Sequence, residues 1–241
     1  MRTDMAGSAR PIIALHGIQG THASWLPVAR ASRSPQDWLL PDLRGRGHAR
    51  RGQNQDDYTL DCFVQDVRAE LNRLPPGQTF ILAGWSLGVS IALQTCLRLL
   101  DDNATLPDAL VLISGSPCLQ RTHWFRAHAP DELLNEIAQR EQRLGLREAA
   151  GHQDVAWTWQ ANRHSDQRNQ LHRISLPCLL IHGEQDEDCP LSHARQLEQG
   201  LPCSTLQILA GAGHSVLGTH AADIARLTDD FLSFHCPRTH S

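Results

Sequence analysis

Lysine is absent from this chain, and all 22 of its basic residues are arginine. We read that as the coding bias of a GC-rich genome rather than as chemistry. Basic charge is also outnumbered: 26 acidic residues leave a net charge of −4. Such a balance gives no electrostatic footprint for nucleic acid or for an anionic membrane surface. Long apolar runs are missing as well. The stretch "MRTDMAGSARPIIAL" (1–15) has only a few consecutive apolar residues, too few for a signal-peptide core or a bilayer span. The expectation is a soluble, cytoplasmic protein that engages no membrane.

Disulfide and metal frameworks lack support too. The seven cysteines, at 62, 96, 118, 178, 189, 203 and 236, are odd in number and without metal-site spacing. Most lie in apolar runs, so the expectation is buried, reduced thiols. None of the fourteen histidines forms His-x-x-x-His beside a carboxylate on a clear helix. No metal and no organic cofactor is expected.

What is present is enough for one domain with a true core: 241 residues, 41% hydrophobic and 20% charged. Short apolar runs at 11–15, 38–40, 79–84, 108–115, 177–183 and 205–210 read as strands. Several are apolar at consecutive positions, as in a parallel sheet covered on both faces. Between them lie amphipathic stretches. Leu60, Phe63, Val64, Val67, Leu71 and Leu74 share one helical face, with Thr59 placed as a cap, Asp61 in the first turn and Pro75-Pro76-Gly77 as the stop. Residues 219–234 repeat that pattern. Strand–helix alternation predicts an α/β fold with a mostly parallel central sheet. The rhythm breaks from 118 to 174, where no strand is convincing and 131–150 is helical. That predicts a helical cap inserted between core segments 1–117 and 175–241.

The stretch "ILAGWSLGVS" (81–90) sets one serine between two glycines where a strand meets a helix. Gly-x-Ser-x-Gly alone is weak; at a strand–helix junction it describes a nucleophile on a tight turn at the positive end of a helix. Gly84 and Gly88 are expected to leave room for close backbone approach. A serine hydroxyl needs a base, and the base needs an orienting acid. Asp186, in "HGEQDEDCP", and His214, in "GAGHSVL", follow later strands in the required order; Glu184 and Asp188 are rivals for the acid. The oxyanion donors expected are the N–H of Leu87 and, from "LHGIQG" (15–20), that of Ile18, with Gln19 as the lesser choice.

With these motifs and "PDLRGRGHA" (41–49), the chain resembles the α/β-hydrolase superfamily along nearly its whole length. The resemblance implies a Ser86-Asp186-His214 hydrolase with a cap, and scaffold roles for Asp42 and Arg44. "GWSLG" and "ISGSPCL" (113–119) look most like the carboxylesterase family of biotin synthesis that cleaves the methyl ester of pimeloyl-acyl-carrier protein. That likeness implies a small to medium ester substrate, including one on acyl-carrier protein, and an acyl pocket lined by Trp85. The chain departs from that pattern at Val89, usually glycine, and at Ile18, usually aromatic. Few residues precede the first strong strand, so the antiparallel edge of the sheet is expected to be reduced. Cap arginines 121, 126, 140, 143, 147, 163, 168 and 173, which would pair with a carrier protein, are nearly balanced by acidic residues and read equally as a mixed-charge surface. The cap aromatics Trp124, Phe125, Trp157 and Trp159 fit either the pocket or the packing of the cap. A monomer is expected.

Overall fold

Six apolar segments pair side by side, all in parallel, to build the sheet in the computed structural model, which describes residues 10–33, 36–146 and 148–236. They are β1 (Ile12–Leu15), β2 (Trp38–Leu39), β3 (Ile81–Trp85), β4 (Ala109–Ile113), β5 (Cys178–Gly183) and β6 (Ser204–Leu209), in the spatial order β2-β1-β3-β4-β5-β6. Every residue of β1, β3, β4 and β5 is buried, which is why these segments carry apolar side chains without alternation. β6 forms one edge and is only half covered. Among the described residues no antiparallel strand joins the sheet.

Successive side chains of the inner strands feed two cores. Ile13, Leu15, Leu82, Leu110, Leu112 and Leu180 point to one face, under α2 (Leu60–Leu71), α3 (Leu87–Asp101) and α6 (Leu191–Gly200). Ile12, Ala14, Ile81, Ala83, Val111 and Ile181 point to the other, under α1 (Leu26–Ala31), α7 (Val216–Thr219) and α8 (Ala221–His235). Thr59 caps α2 as expected, its hydroxyl accepting from the Cys62 N–H. The cysteines are free; five are buried, but Cys62 is only half-buried and Cys203 is exposed, because each sits at the rim of its element rather than in a core run. The N-terminal stretch read for targeting lies largely outside the described residues, as does Arg147. Among the described residues no helix is long and apolar enough to cross a membrane.

Between β4 and β5 the chain forms α4 (Pro130–Leu144), α5 (His152–Asn162) and a 3-10 turn at Arg168–Arg173. Gly145, in the left-handed conformation at φ +60, ends α4. α5 has no clear apolar stripe because its inward face is partly polar. Asp154 accepts from the Tyr58 hydroxyl, Thr158 accepts from Arg46, and Asn162 bonds the backbone of Tyr58 and Leu60. These side chains bind α5 to the loop and helix that follow β2. Trp124, Phe125 and Trp159 pack together and are buried, while Trp157 lies half-buried against Tyr58.

The strand order reverses between β1 and β3, so the connections leaving their carboxyl ends diverge to opposite sides and leave a crevice, the usual place for a ligand in open α/β sheets. The loop 16–20 leaves β1 there, and Ser86 leaves β3.

Candidate active site

Ser86 sits between β3 and α3 with φ +58 and ψ −118, a conformation that costs a residue with a side chain about 1–3 kcal/mol. The close packing around it enforces this turn. A Cβ on Gly84 would overlap the backbone of Gly88, and one on Gly88 would overlap the carbonyl of Leu15 at the end of β1. Only glycine fits at either position. The Val89 side chain, which stands where glycine is usual, is accommodated by Gly115 after β4. A Cβ there would collide with the Val89 Cβ and both its methyl carbons.

Asp186 follows β5, and its Oδ1 accepts from the backbone N–H groups of Asp188 and Cys189 at 3.0 and 2.8 Å. His214 leaves the loop after β6. Gly183 lets that loop close, since a Cβ on it would meet the carbonyls of Ala212 and Gly213. The His214 Nδ1 lies 3.0 and 2.9 Å from the two Asp186 carboxylate oxygens, and its Nε2 lies 2.9 Å from the Ser86 Oγ. With the proton on Nδ1 donated to the acid, Nε2 is left to accept from the serine. Burial would raise the Asp186 carboxyl, but the charge and hydrogen bond of His214 and the Cys189 N–H outweigh it and hold it below its usual range. Of the rivals for the acid, Glu184 accepts from the Gly211 N–H instead. Asp188 faces the other side of the imidazole, its Oδ2 3.8 Å from Nε2.

The loop 16–20 presses against Ser86; a Cβ on Gly17 would come within 3.1 Å of the Ser86 Cβ. The N–H groups of Ile18, in this loop, and Leu87, in the first turn of α3, have no acceptor among the described residues. The loop is held from three sides. His16 donates from Nδ1 to the Gly17 carbonyl, and its Nε2 accepts from the Leu43 N–H. Burial pushes the His16 pKa down to about 4, so it is neutral. Arg46 donates to the Ile18 carbonyl at 2.7 Å and to Thr158 of α5 at 2.9 Å. Gln19 donates to the Ile137 carbonyl of α4 at 2.8 Å and accepts from Arg140 at 2.6 Å. Asp42 and Arg44 bond the His22 N–H and Asp66, positions that support the scaffold.

Trp85 donates from Nε1 to the His214 carbonyl at 3.2 Å, and the two rings lie 5.4 Å apart. Its outer edge borders a cleft of about 500 Å³ with Ser24, Leu26, Pro27, Leu146, Ser215 and Leu217. Ser86 and His214 themselves are buried. Motif reasoning did not single out Arg46 or Arg140. The available signal was positional: Arg140 falls on the stripe of Leu133 and Ile137, the buried face of α4.

The chain belongs to the alpha/beta hydrolase family, whose model matches residues 12–227. It is similar to an AB hydrolase superfamily protein, YisY, of Bacillus subtilis, 26% identical over 252 residues that cover 93% of this chain and 92% of the relative. It is also similar to a pimeloyl-[acyl-carrier protein] methyl ester esterase of Nitrosomonas europaea, 26% identical, with 88% and 91% covered. Among solved structures, an esterase from Exiguobacterium antarcticum superposes with a TM-score of 0.77 at 19% identity, over 94% of this chain and 93% of that one. The fold is that of an α/β hydrolase, and the family and its esterase relatives mark the protein as a hydrolase.

Proposed function

We propose that the protein is a carboxylic ester hydrolase acting through Ser86, His214 and Asp186. The observation that carries this reading is the continuous hydrogen-bonded line from Ser86 Oγ through both ring nitrogens of His214 to Asp186. In the first half-reaction His214 takes the serine proton at Nε2 as Oγ attacks the ester carbonyl, and Asp186 stabilises the imidazolium. The Leu87 and Ile18 N–H groups hold the oxyanion. The alcohol departs with the proton from His214. Water, deprotonated by the same nitrogen, then attacks the acyl-enzyme and frees Ser86.

The substrate class we favour is a methyl or other small-alcohol ester of a small to medium acyl group, including one carried on acyl-carrier protein. Support comes from the Nitrosomonas relative, which is a pimeloyl-[acyl-carrier protein] methyl ester esterase. Residues 118–174 serve as the cap over core segments 1–117 and 175–241. The polar contacts of α4 and α5 with the loop 16–20 and Arg46 support that division.

The test is an acyl-chain-length profile with nitrophenyl esters from acetate to decanoate and methyl esters of dicarboxylic acids, beside a Ser86→Ala control. Turnover that vanishes in the control is the expected result. If wild-type protein cleaves none of these esters, the ester reading is wrong, and thioesters or carbon–carbon bonds are the substrates to assay on the same residues.

A further inference from the structure

Arg140 is a buried charge outside the catalytic line. It lies on the buried face of α4, 4% exposed, with its guanidinium carbon 5.7 Å from the ring centres of both Trp124 and Phe125. One of its terminal nitrogens donates to Gln19 in the loop beside Ser86. The other donates to Asp188 Oδ2 at 2.9 Å. Arg143, one turn further along α4, takes the second oxygen of Asp188 at 2.6 Å. The Arg140 Nε has no acceptor among the described residues, so the group is committed to these two contacts.

Asp188 is 1% exposed, and the oxygen that Arg140 holds is the one 3.8 Å from His214 Nε2. Two carboxylates of one loop therefore face a single imidazole, Asp186 at Nδ1 and Asp188 toward Nε2. A buried carboxylate must be paired, and three cations are within its reach: the guanidinium groups of Arg143, on Oδ1, and Arg140, on Oδ2, and the imidazolium that His214 becomes, which shares only Oδ2 with Arg140. If Asp188 accepted from protonated Nε2, the imidazolium would be trapped and the Nε2 lone pair of the neutral ring would not be there to accept from Ser86.

We propose that Arg140 is a positioning residue of the reaction, holding Asp188 off Nε2 of His214 so that the imidazole stays available to Ser86. This rests on Ser86, His214 and Asp186 being the catalytic line. The groups facing His214 define what else bears on its proton. Ser86 and the Trp85 ring face it from the end of β3, Asp186 and Asp188 from the loop after β5, and His182 from β5 itself, with Arg140 and Arg143 of α4 behind Asp188. Burial lowers the His182 pKa against the raising pull of Asp186 and the Cys189 carbonyl. Asp186 is held by its own loop. Asp188 alone depends on the cap for its partner.

The experiment reads the pH dependence, from 5 to 9, of Ser86 labelling by a fluorophosphonate, together with kcat/KM on a cleaved ester, in Arg140→Met, Arg140→Lys, Asp188→Asn and the Arg140→Met/Asp188→Asn double variant. In Arg140→Met the acid limb is expected to move up by about one pH unit, so that the loss approaches about tenfold on the acid side of the limb and recovers in alkali. The double variant should restore the limb and most of the rate, and Arg140→Lys, which keeps the charge, should move the limb less. If Arg140→Met does not fold, Asp188→Asn decides alone. Its limb should move down, because a negative charge 3.8 Å from Nε2 is gone while both guanidinium groups remain. An unmoved limb there, or in Arg140→Met a uniform loss across pH that Asp188→Asn does not relieve, would overturn the proposal and leave the triad standing. Absence of label on wild-type Ser86 would instead remove the catalytic line, and this proposal with it.

Discussion

The indole of Trp85 donates a hydrogen bond to the backbone carbonyl of His214, so the residue before Ser86 fixes the residue whose Nε2 lies 2.9 Å from the Ser86 hydroxyl. The two ring planes also meet at an angle of 34° with their centres 5.4 Å apart. Trp85→Phe keeps an aromatic surface and loses the N–H donor. A neutral hydrogen bond of this kind contributes about 1 kcal/mol, so kcat is expected to fall about fivefold with KM nearly unchanged. Steady-state kinetics on any cleaved ester would show it, and a rise in KM alone would contradict a positioning role.

Asp186→Asn removes the charge while keeping the shape. The amide can present its N–H to Nδ1 and force the wrong imidazole tautomer, which in triads of this kind lowers kcat by about 10⁴-fold. Thermal melting beside the kinetics separates this loss from unfolding. A variant within tenfold of wild type would show that another group orients His214.

Val89 and Gly115 share one volume behind the nucleophile. Gly115→Ala is expected to destabilise the fold by about 1–3 kcal/mol through overpacking. Val89→Gly with Gly115→Ala should relieve that overlap, because the Val89 Cβ and both methyl carbons in the way are gone. Denaturant unfolding of the single and double variants gives the coupling, which additivity would set near zero.

His16 makes stability fall in acid before the carboxylates do. Its pKa is about 4 in the folded chain, against 6.5 for the free side chain. Protonation therefore favours the unfolded chain as soon as pH drops below about 6.5, and the full cost, about 3 kcal/mol, is reached near pH 4. Asp186 and Asp188 act lower down: both are depressed in the folded state, so their contribution is present above about 3.9 and is lost as pH falls through their folded values. The melting temperature of wild type should drop between pH 6.5 and 4.5, and His16→Gln should flatten that slope. Equal slopes in both proteins would assign the acid loss to other groups.

Much of this architecture could be read from the order of residues, and the reasons differ by element. Strands β1, β3, β4 and β5 announce themselves because burial on both faces leaves no room for polar alternation. Ser86, Asp186 and His214 are legible because each follows a strand end and carries glycine or proline beside it, a local signature of a sharp turn. α5 was not legible, because its inward positions are Asp154, Thr158 and Asn162, whose partners lie about a hundred residues away in the chain. Arg140 was legible only as one of eight cap arginines. Its spacing from Leu133 and Ile137 puts it on the buried face, yet an arginine count treats it as surface. Periodicity reports apolar burial, and it is silent where a buried face is polar and paired at long range.

Both cap helices grip the short loop that carries Ile18: α4 through Gln19 and Arg140, α5 through Thr158 and Arg46. The insertion is thus no detachable roof. Transplanting this insertion from a relative, or cutting it away, would withdraw the braces from the loop that carries Ile18 along with the ceiling. Engineering of this scaffold toward larger substrates should therefore keep residues 137, 140 and 158 in place and seek its space along the Trp85 side.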